Sequence, residues 1–165
     1  MVALRCTSRL LHRLGADVLP TVGFPENSLG HWYANLVTLG RKPHVLALSE
    51  RSLLSVILPA APLGTLLARF PGALEGLLRA LSVPAKQITW ELESMTPLVV
   101  SKTASRKVLG CLNQFAFALD VDARYNPTHT LRQRELWLSQ YISSAIGYNH
   151  PRDLALELLA ARGGQ

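Results

Sequence analysis

Apolar positions in this chain follow two rhythms, short runs in the first third and longer helical stripes afterwards. Residues 2–6, 32–39, 44–49 and 52–58 are short runs rich in Val, Leu and aromatics, the length and composition of strands. The last three are separated only by Gly40-Arg41-Lys42-Pro43 and by Glu50-Arg51, so they read as an antiparallel meander. Within 32–39, Tyr33, Asn35, Val37 and Leu39 fall on one face and Trp32, Ala34, Leu36 and Thr38 on the other, which predicts cover on both faces. A short helix over 8–14 follows the first strand, capped by Thr7 or Ser8 and closed by Gly15. Residues 17–29 hold Pro20, Gly23, Pro25, Glu26, Asn27 and Ser28, a density of turn formers that predicts a loop with no regular element.

Helical spacing takes over after residue 58. The pattern predicts helices at 63–70 and 71–81, separated by a break or kink at Pro71, and a further one at 85–93. A strand at 98–102 leads into a helix capped by Ser105, whose Val108, Leu109, Leu112, Phe115, Ala116 and Leu119 form the strongest periodic segment. Residues 120–128 read as a polar, solvent-facing connection. Thr130 then caps a helix over 131–146 with Leu131, Leu138, Ile142 and Ala145 as its stripe and Gly147 at its exit. A last helix over 151–161 turns Leu154, Leu158 and Leu159 inward, and Gly163, Gly164 and Gln165 are expected to fray. The sum is one α+β domain over 1–165. Its mostly antiparallel sheet of about five strands, the meander plus the first and late strands, is covered by helices. Residues 1–119 supply the main sheet and helices, and 130–161 form a C-terminal helical extension.

Composition narrows the class. With 48% hydrophobic and 17% charged residues and mean hydropathy +0.18, the 165-residue chain is globular and large enough for a core without staples. Its two cysteines, Cys6 and Cys111, are expected as reduced, buried thiols. The longest uncharged stretch, 52–68, is interrupted by Pro59, Pro62 and Gly64 and falls short of the about 20 apolar residues a membrane span needs. Arg5, Arg9, His12 and Arg13 interrupt the N-terminal region where a signal peptide would be apolar, so a cytoplasmic location without membrane association is expected. The net charge of +6 is regional: residues 1–107 carry twelve Lys and Arg against six acids, and 108–165 carry five of each.

Several ordered segments together resemble a known family. They are Leu4-Arg5-Cys6-Thr7, Leu29-Gly30-His31-Trp32-Tyr33-Ala34-Asn35-Leu36, Glu50-Arg51-Ser52-Leu53-Leu54, and Lys102-Thr103-Ala104-Ser105-Arg106-Lys107-Val108-Leu109-Gly110 followed by Asn113 and Phe115-Ala116. With Gly147-Tyr148 and Pro151 near the end, they are similar to domain of unknown function 6933, an uncharacterised prokaryotic family. The resemblance implies a bacterial protein without an assigned activity. It also implies acids at the positions occupied here by His31 and Gln114, and a carboxylate that binds metal or abstracts a proton is not replaced by an amide without losing its charge and basicity.

Phosphate-loop, dinucleotide, zinc-protease and nucleophile-elbow signatures are all missing. No catalytic residue, metal ligand or cofactor is therefore assigned. Cys111 has no histidine placed beside it by sequence, and Asp120 with Asp122 is too few ligands for a cation. The candidate anion or nucleic-acid contacts are Arg9, Arg13, Lys102, Thr103, Ser105, Arg106 and Lys107, because cations and hydroxyls cluster where a strand enters a helix start. A second candidate is a ligand pocket made of His31, Trp32, Tyr33, Asn35 and Asn113. Core packing of the aromatics, helix capping by Ser105 and solvation of the cations are the competing readings of these residues.

The expectation is a non-catalytic binding or accessory module with a basic face for nucleic acid or an acidic protein partner. Two alternatives are a small enzyme acting on a phosphate-bearing substrate, with His31 handling protons, and a structural subunit or homo-oligomer.

Overall fold

The computed structural model describes residues 1–163; Gly164 and Gln165, part of the segment expected to fray, lie outside the described residues. Six strands form one sheet: β1 (Val2–Cys6), β2 (Val18–Leu19), β3 (Trp32–Leu39), β4 (Lys42–Ser49), β5 (Ser55–Pro59) and β6 (Leu98–Lys102), in the order β2-β6-β1-β3-β4-β5. β3, β4 and β5 are the expected antiparallel meander. Gly40 and Arg41 both take positive φ, 58° and 70°, and form the two-residue turn that lets Leu39 face Lys42.

The other half of the sheet is parallel. β1 pairs in parallel with both β3 and β6, and β6 with β2, so the sheet is mixed and not mostly antiparallel. The correction has a physical reason: strands buried on both faces lack the alternation that distinguishes the two pairing modes, and long connections permit parallel return. The loop expected over 17–29 contains the sixth strand, the two-residue β2, whose pairing partner lies about eighty residues away.

Each sheet face has its own core. On one face Val2, Leu4, Cys6, Trp32, Ala34 and Leu36 pack with residues of α1 (Ser8–Leu14), α2 (Leu66–Ala80), α3 (Ala85–Ser94) and α6 (Pro151–Gly163). On the other, Tyr33, Val37, Leu39, Leu46 and Leu48 pack under α4 (Arg106–Tyr125) and α5 (Leu131–Leu138). The two-faced reading of 32–39 therefore holds. The C-terminal helices enter both cores, Leu138 in one and Ala155 and Leu159 in the other.

Several helix boundaries differ from the pattern. Pro71 lies inside α2 and does not split it, because Leu66, Phe70, Leu74, Leu77 and Leu78 form one buried stripe through that position. α4 continues to Tyr125, through residues expected to be a solvent-facing connection. There Asp122 is buried, accepting from Arg134 Nε at 3.0 Å and Asn126 Nδ2 at 3.0 Å, with His129 Nδ1 at 3.2 Å. The helix expected over 131–146 ends at Leu138, followed by a 3-10 turn at Ser144–Ile146, and Ile142 is exposed. Along α6 the inward positions are Pro151, Ala155 and Leu159, while Leu154 and Leu158 are half-buried. Among the described residues no helix is long and apolar enough to cross a membrane.

Candidate functional site

The parallel half of the sheet creates the site. β1 and β6 are neighbours with Cys6 beside Lys102, but the chain leaves them toward opposite faces: α1 buries Leu10 in one core and α4 buries Cys111, Leu112 and Phe115 in the other. In open sheets, a crevice opens at the carboxyl ends of neighbouring parallel strands whose connections diverge in this way. Thr7, Ser8 and Arg9 follow the end of β1, and Lys102, Thr103, Ser105, Arg106 and Lys107 lie at or just beyond the end of β6. Segments about a hundred residues apart thus meet at one sheet end.

Hydrogen bonds fix this end. Thr7 Oγ1 donates to Asn35 Oδ1 at 2.6 Å, and that oxygen also accepts the Leu36 N–H at 2.8 Å. Neither Thr7 nor Ser8 caps α1 through its side chain, contrary to expectation, because the Thr7 hydroxyl is spent on β3. Ser105 does cap α4, accepting the Val108 N–H at 3.2 Å, while its own N–H donates to the Tyr33 hydroxyl at 2.9 Å. Arg5 Nη1 donates to the Lys102 carbonyl at 2.9 Å. Part of the amide cluster at the α4 start is therefore already satisfied, and the exposed cations are the main electrostatic feature.

Most of the arginines and lysines fall into three groups, and Arg41, Lys42 and Lys86 are exposed and unpaired as well among the described residues. Arg79, Arg124, Arg132, Arg134 and Arg152 contact carboxylates. Arg5, Arg51 and Arg69 donate to backbone carbonyls. Arg9, Arg13, Lys102, Arg106 and Lys107 are exposed, and among the described residues none has an ion-pair or side-chain hydrogen-bond partner. The first turns of α1 and α4 contain no acid, and cations there oppose the helix dipole. A bound anion would offset that local cost.

The second candidate set does not converge. Trp32 lies on the face opposite Tyr33 and packs against Phe70, ring centroids 5.2 Å apart. Asn35 is engaged with Thr7, and Asn113 is exposed on α4. His31 is buried: its Nδ1 accepts the Ala3 N–H at 3.0 Å, and Nε2–H donates to the Gly23 carbonyl at 3.1 Å. Burial holds its pKa below the usual histidine value despite the nearby Glu50 carboxylate. Both ring nitrogens of this neutral imidazole hold backbone. Burial likewise pushes the Cys111 thiol up, against the Ser143 hydrogen bond and the Lys107 charge.

Among the described residues, sequence reasoning missed three concavities, of which the smallest lies beside the parallel strands. Arg5, Val22, Gly23, Phe24, Pro25, His31 and Glu50 line a depression of about 280 Å³ beside the parallel strands. The available signal was small, a single charged residue within the apolar first strand. Glu50 read simply as a turn residue.

Among protein families, the model for domain of unknown function DUF6933 matches residues 3–154. No curated protein and no solved structure matches the chain.

Proposed function

The chain belongs to the DUF6933 family, and on that premise we propose a non-catalytic binding module whose basic face, at the carboxyl ends of β1 and β6, takes a nucleic acid through its phosphates. The observation that carries this reading is that Arg9, Lys102, Arg106 and Lys107, exposed and without carboxylate partners among the described residues, lie on the two segments that follow the neighbouring parallel strands β1 and β6, with Arg13 one turn further along α1. Phosphate contacts need exposed, uncompensated cations and no base-reading groups, so the expected binding is sequence-tolerant and salt-sensitive. The commitment of both His31 nitrogens to backbone groups supports binding over proton transfer.

The test is titration of a labelled oligonucleotide at low and moderate salt. If all five cations engage phosphates of a duplex, the slope of log affinity against log salt is about −4 to −5. The triple change Arg9→Ala, Lys102→Ala, Arg106→Ala should weaken binding at least about tenfold and flatten that slope. The control removes equal charge on α2, α3 and α6, with Arg79→Ala, Lys86→Ala and Arg152→Ala, and should have much less effect. Absence of binding at low salt, or equal losses in the two triple variants, would discard the reading.

A further inference from the structure

The depression at Arg5 and Glu50 is lined by residues other than the cations invoked above, although Arg5 touches the Lys102 backbone, and its two charges have an unusual relation. They have opposite signs and line the same concavity, yet they are not within ion-pair distance of one another. Each is pinned by one backbone contact: Arg5 Nη1 donates to the Lys102 carbonyl at 2.9 Å, and Glu50 Oε1 accepts the His31 N–H at 2.9 Å. Among the described residues, the other guanidinium nitrogens of Arg5 and the second carboxylate oxygen of Glu50 have no hydrogen-bond partner. Both side chains are half-buried.

The surrounding chain is shaped to keep this separation. Gly30 has φ +76°, and a Cβ there would come within 2.7 Å of Glu50 Oε1 and 2.8 Å of its Cγ, so the absent side chain makes room for the carboxylate. Neighbouring Arg51 does not neutralise Glu50. Its guanidinium donates to the carbonyls of Pro25 and Asn27 and lies 5.4 Å from the centroid of the Phe24 ring. That contact holds Phe24 at the rim although the side chain is 87% exposed. His31 anchors the loop wall through Gly23.

A cation and an anion held apart in one depression complement a ligand that carries both charges. The volume lies just under the lower end of the roughly 300–1,000 Å³ typical of sites for drug-sized molecules, which suits a smaller metabolite. We propose that the depression lined by Arg5, His31, Glu50 and Phe24 binds a free α-amino acid, its carboxylate on Arg5, its ammonium on Glu50 and its side chain toward Phe24. This site takes a small zwitterion and stands independently of the nucleic-acid reading.

The experiment is an amide NMR titration of the full chain with a panel of free standard α-amino acids, each up to about 10 mM, in parallel with their N-acetyl and C-amide forms. At least one free amino acid should give saturable shifts at Gly23, Phe24 and His31, and blocking either end should weaken its binding about tenfold or more. Glu50→Gln and Arg5→Gln should each produce a loss of the same order, with amides distant from the depression unchanged. The blocked ligands test the unaltered protein, so the result does not depend on a variant folding. Absence of shifts with every free amino acid, or equal binding of free and blocked forms, would overturn the proposal. Neither outcome bears on oligonucleotide binding by Lys102 and Arg106.

Discussion

The Tyr33 hydroxyl in β3 accepts the Ser105 N–H at 2.9 Å, so the aromatic residue that fills the core beneath α4 also holds the start of that helix. Two roles fall on one side chain: its ring packs with Leu46, Leu48 and Phe115, and its oxygen sets the turn that carries Lys102 to Lys107. Tyr33→Phe separates them. It keeps the ring but leaves a part-buried amide without its acceptor, which should cost about 1–2 kcal/mol. Urea unfolding should show a lower midpoint with an unchanged slope, and hydrogen exchange at Ser105 should accelerate. Unchanged stability and exchange would show that the contact contributes nothing.

Glu91, fully buried on α3, secures the loop before β3 by accepting from Asn27 Nδ2 at 2.8 Å and from the N–H groups of Ser28 and Leu29 at 2.8 and 3.1 Å. Glu91→Ala leaves the Ser28 and Leu29 amides without this acceptor in the interior, while Asn27 Nδ2 keeps its bond to the Gly30 carbonyl, and should destabilise the fold by about 2–3 kcal/mol, whereas Glu91→Gln, which retains one acceptor oxygen, should cost less. Denaturant unfolding gives the comparison. Limited proteolysis should show earlier cleavage between residues 20 and 30 in the Ala variant.

Glu135 on α5 covers the open edge of the sheet, accepting the Ile57 N–H of β5 at 2.8 Å, with Arg132 Nη1 3.4 Å from its other oxygen. Burial pushes its pKa up from 4.5 to about 7, outweighing the lowering effects of the Ile57 N–H and Arg132. Between these values the folded protein holds a proton that the unfolded chain has released. The stabilising contribution is therefore complete below about pH 4.5 and is lost as pH rises through about 7, up to about 3 kcal/mol in all. Subtracting the stability profile of Glu135→Gln from that of the unaltered protein should isolate this decline. A flat difference over that window would refute it.

Both thiols should be slow to react in the folded protein. Burial raises the Cys6 pKa from 9.0 to about 12 and also raises that of Cys111, leaving little of the nucleophilic thiolate at neutral pH. Ellman's reagent at pH 8 should label neither residue rapidly until denaturant is added. Prompt labelling of one thiol under native conditions would place it in a more open environment.

Legibility in the sequence followed the range of the interactions involved. β6 matches its expected bounds because Pro97 and the Ser105 cap punctuate it locally, and α1 matches because Gly15 supplies the left-handed exit. Where a local signal was absent, the reading stopped short. Asp120, Asp122 and Arg124 looked like a solvated connection, yet Arg134, twelve residues beyond Asp122, makes burial of that acid possible. The basic residues at 102–107 were visible as a cluster, but that the segment carrying Arg9 starts from the strand beside them depends on β1 pairing with β6. Arg5 and Glu50 could not be joined by spacing, because the loop at 22–25 completes the depression between them.

The order of residues by itself determined most of the local elements, though not β2 or several helix ends, and the two-faced burial of β3, since periodicity and caps act over a few neighbouring positions. Only the tertiary structure decided that β1 runs parallel to β3 and β6, and that α1 and α4 leave the sheet on opposite sides. A strand enclosed on both faces shows much the same apolar run in either direction of pairing. Contacts between distant segments therefore set the direction, and with it which segments meet at the carboxyl ends of β1 and β6.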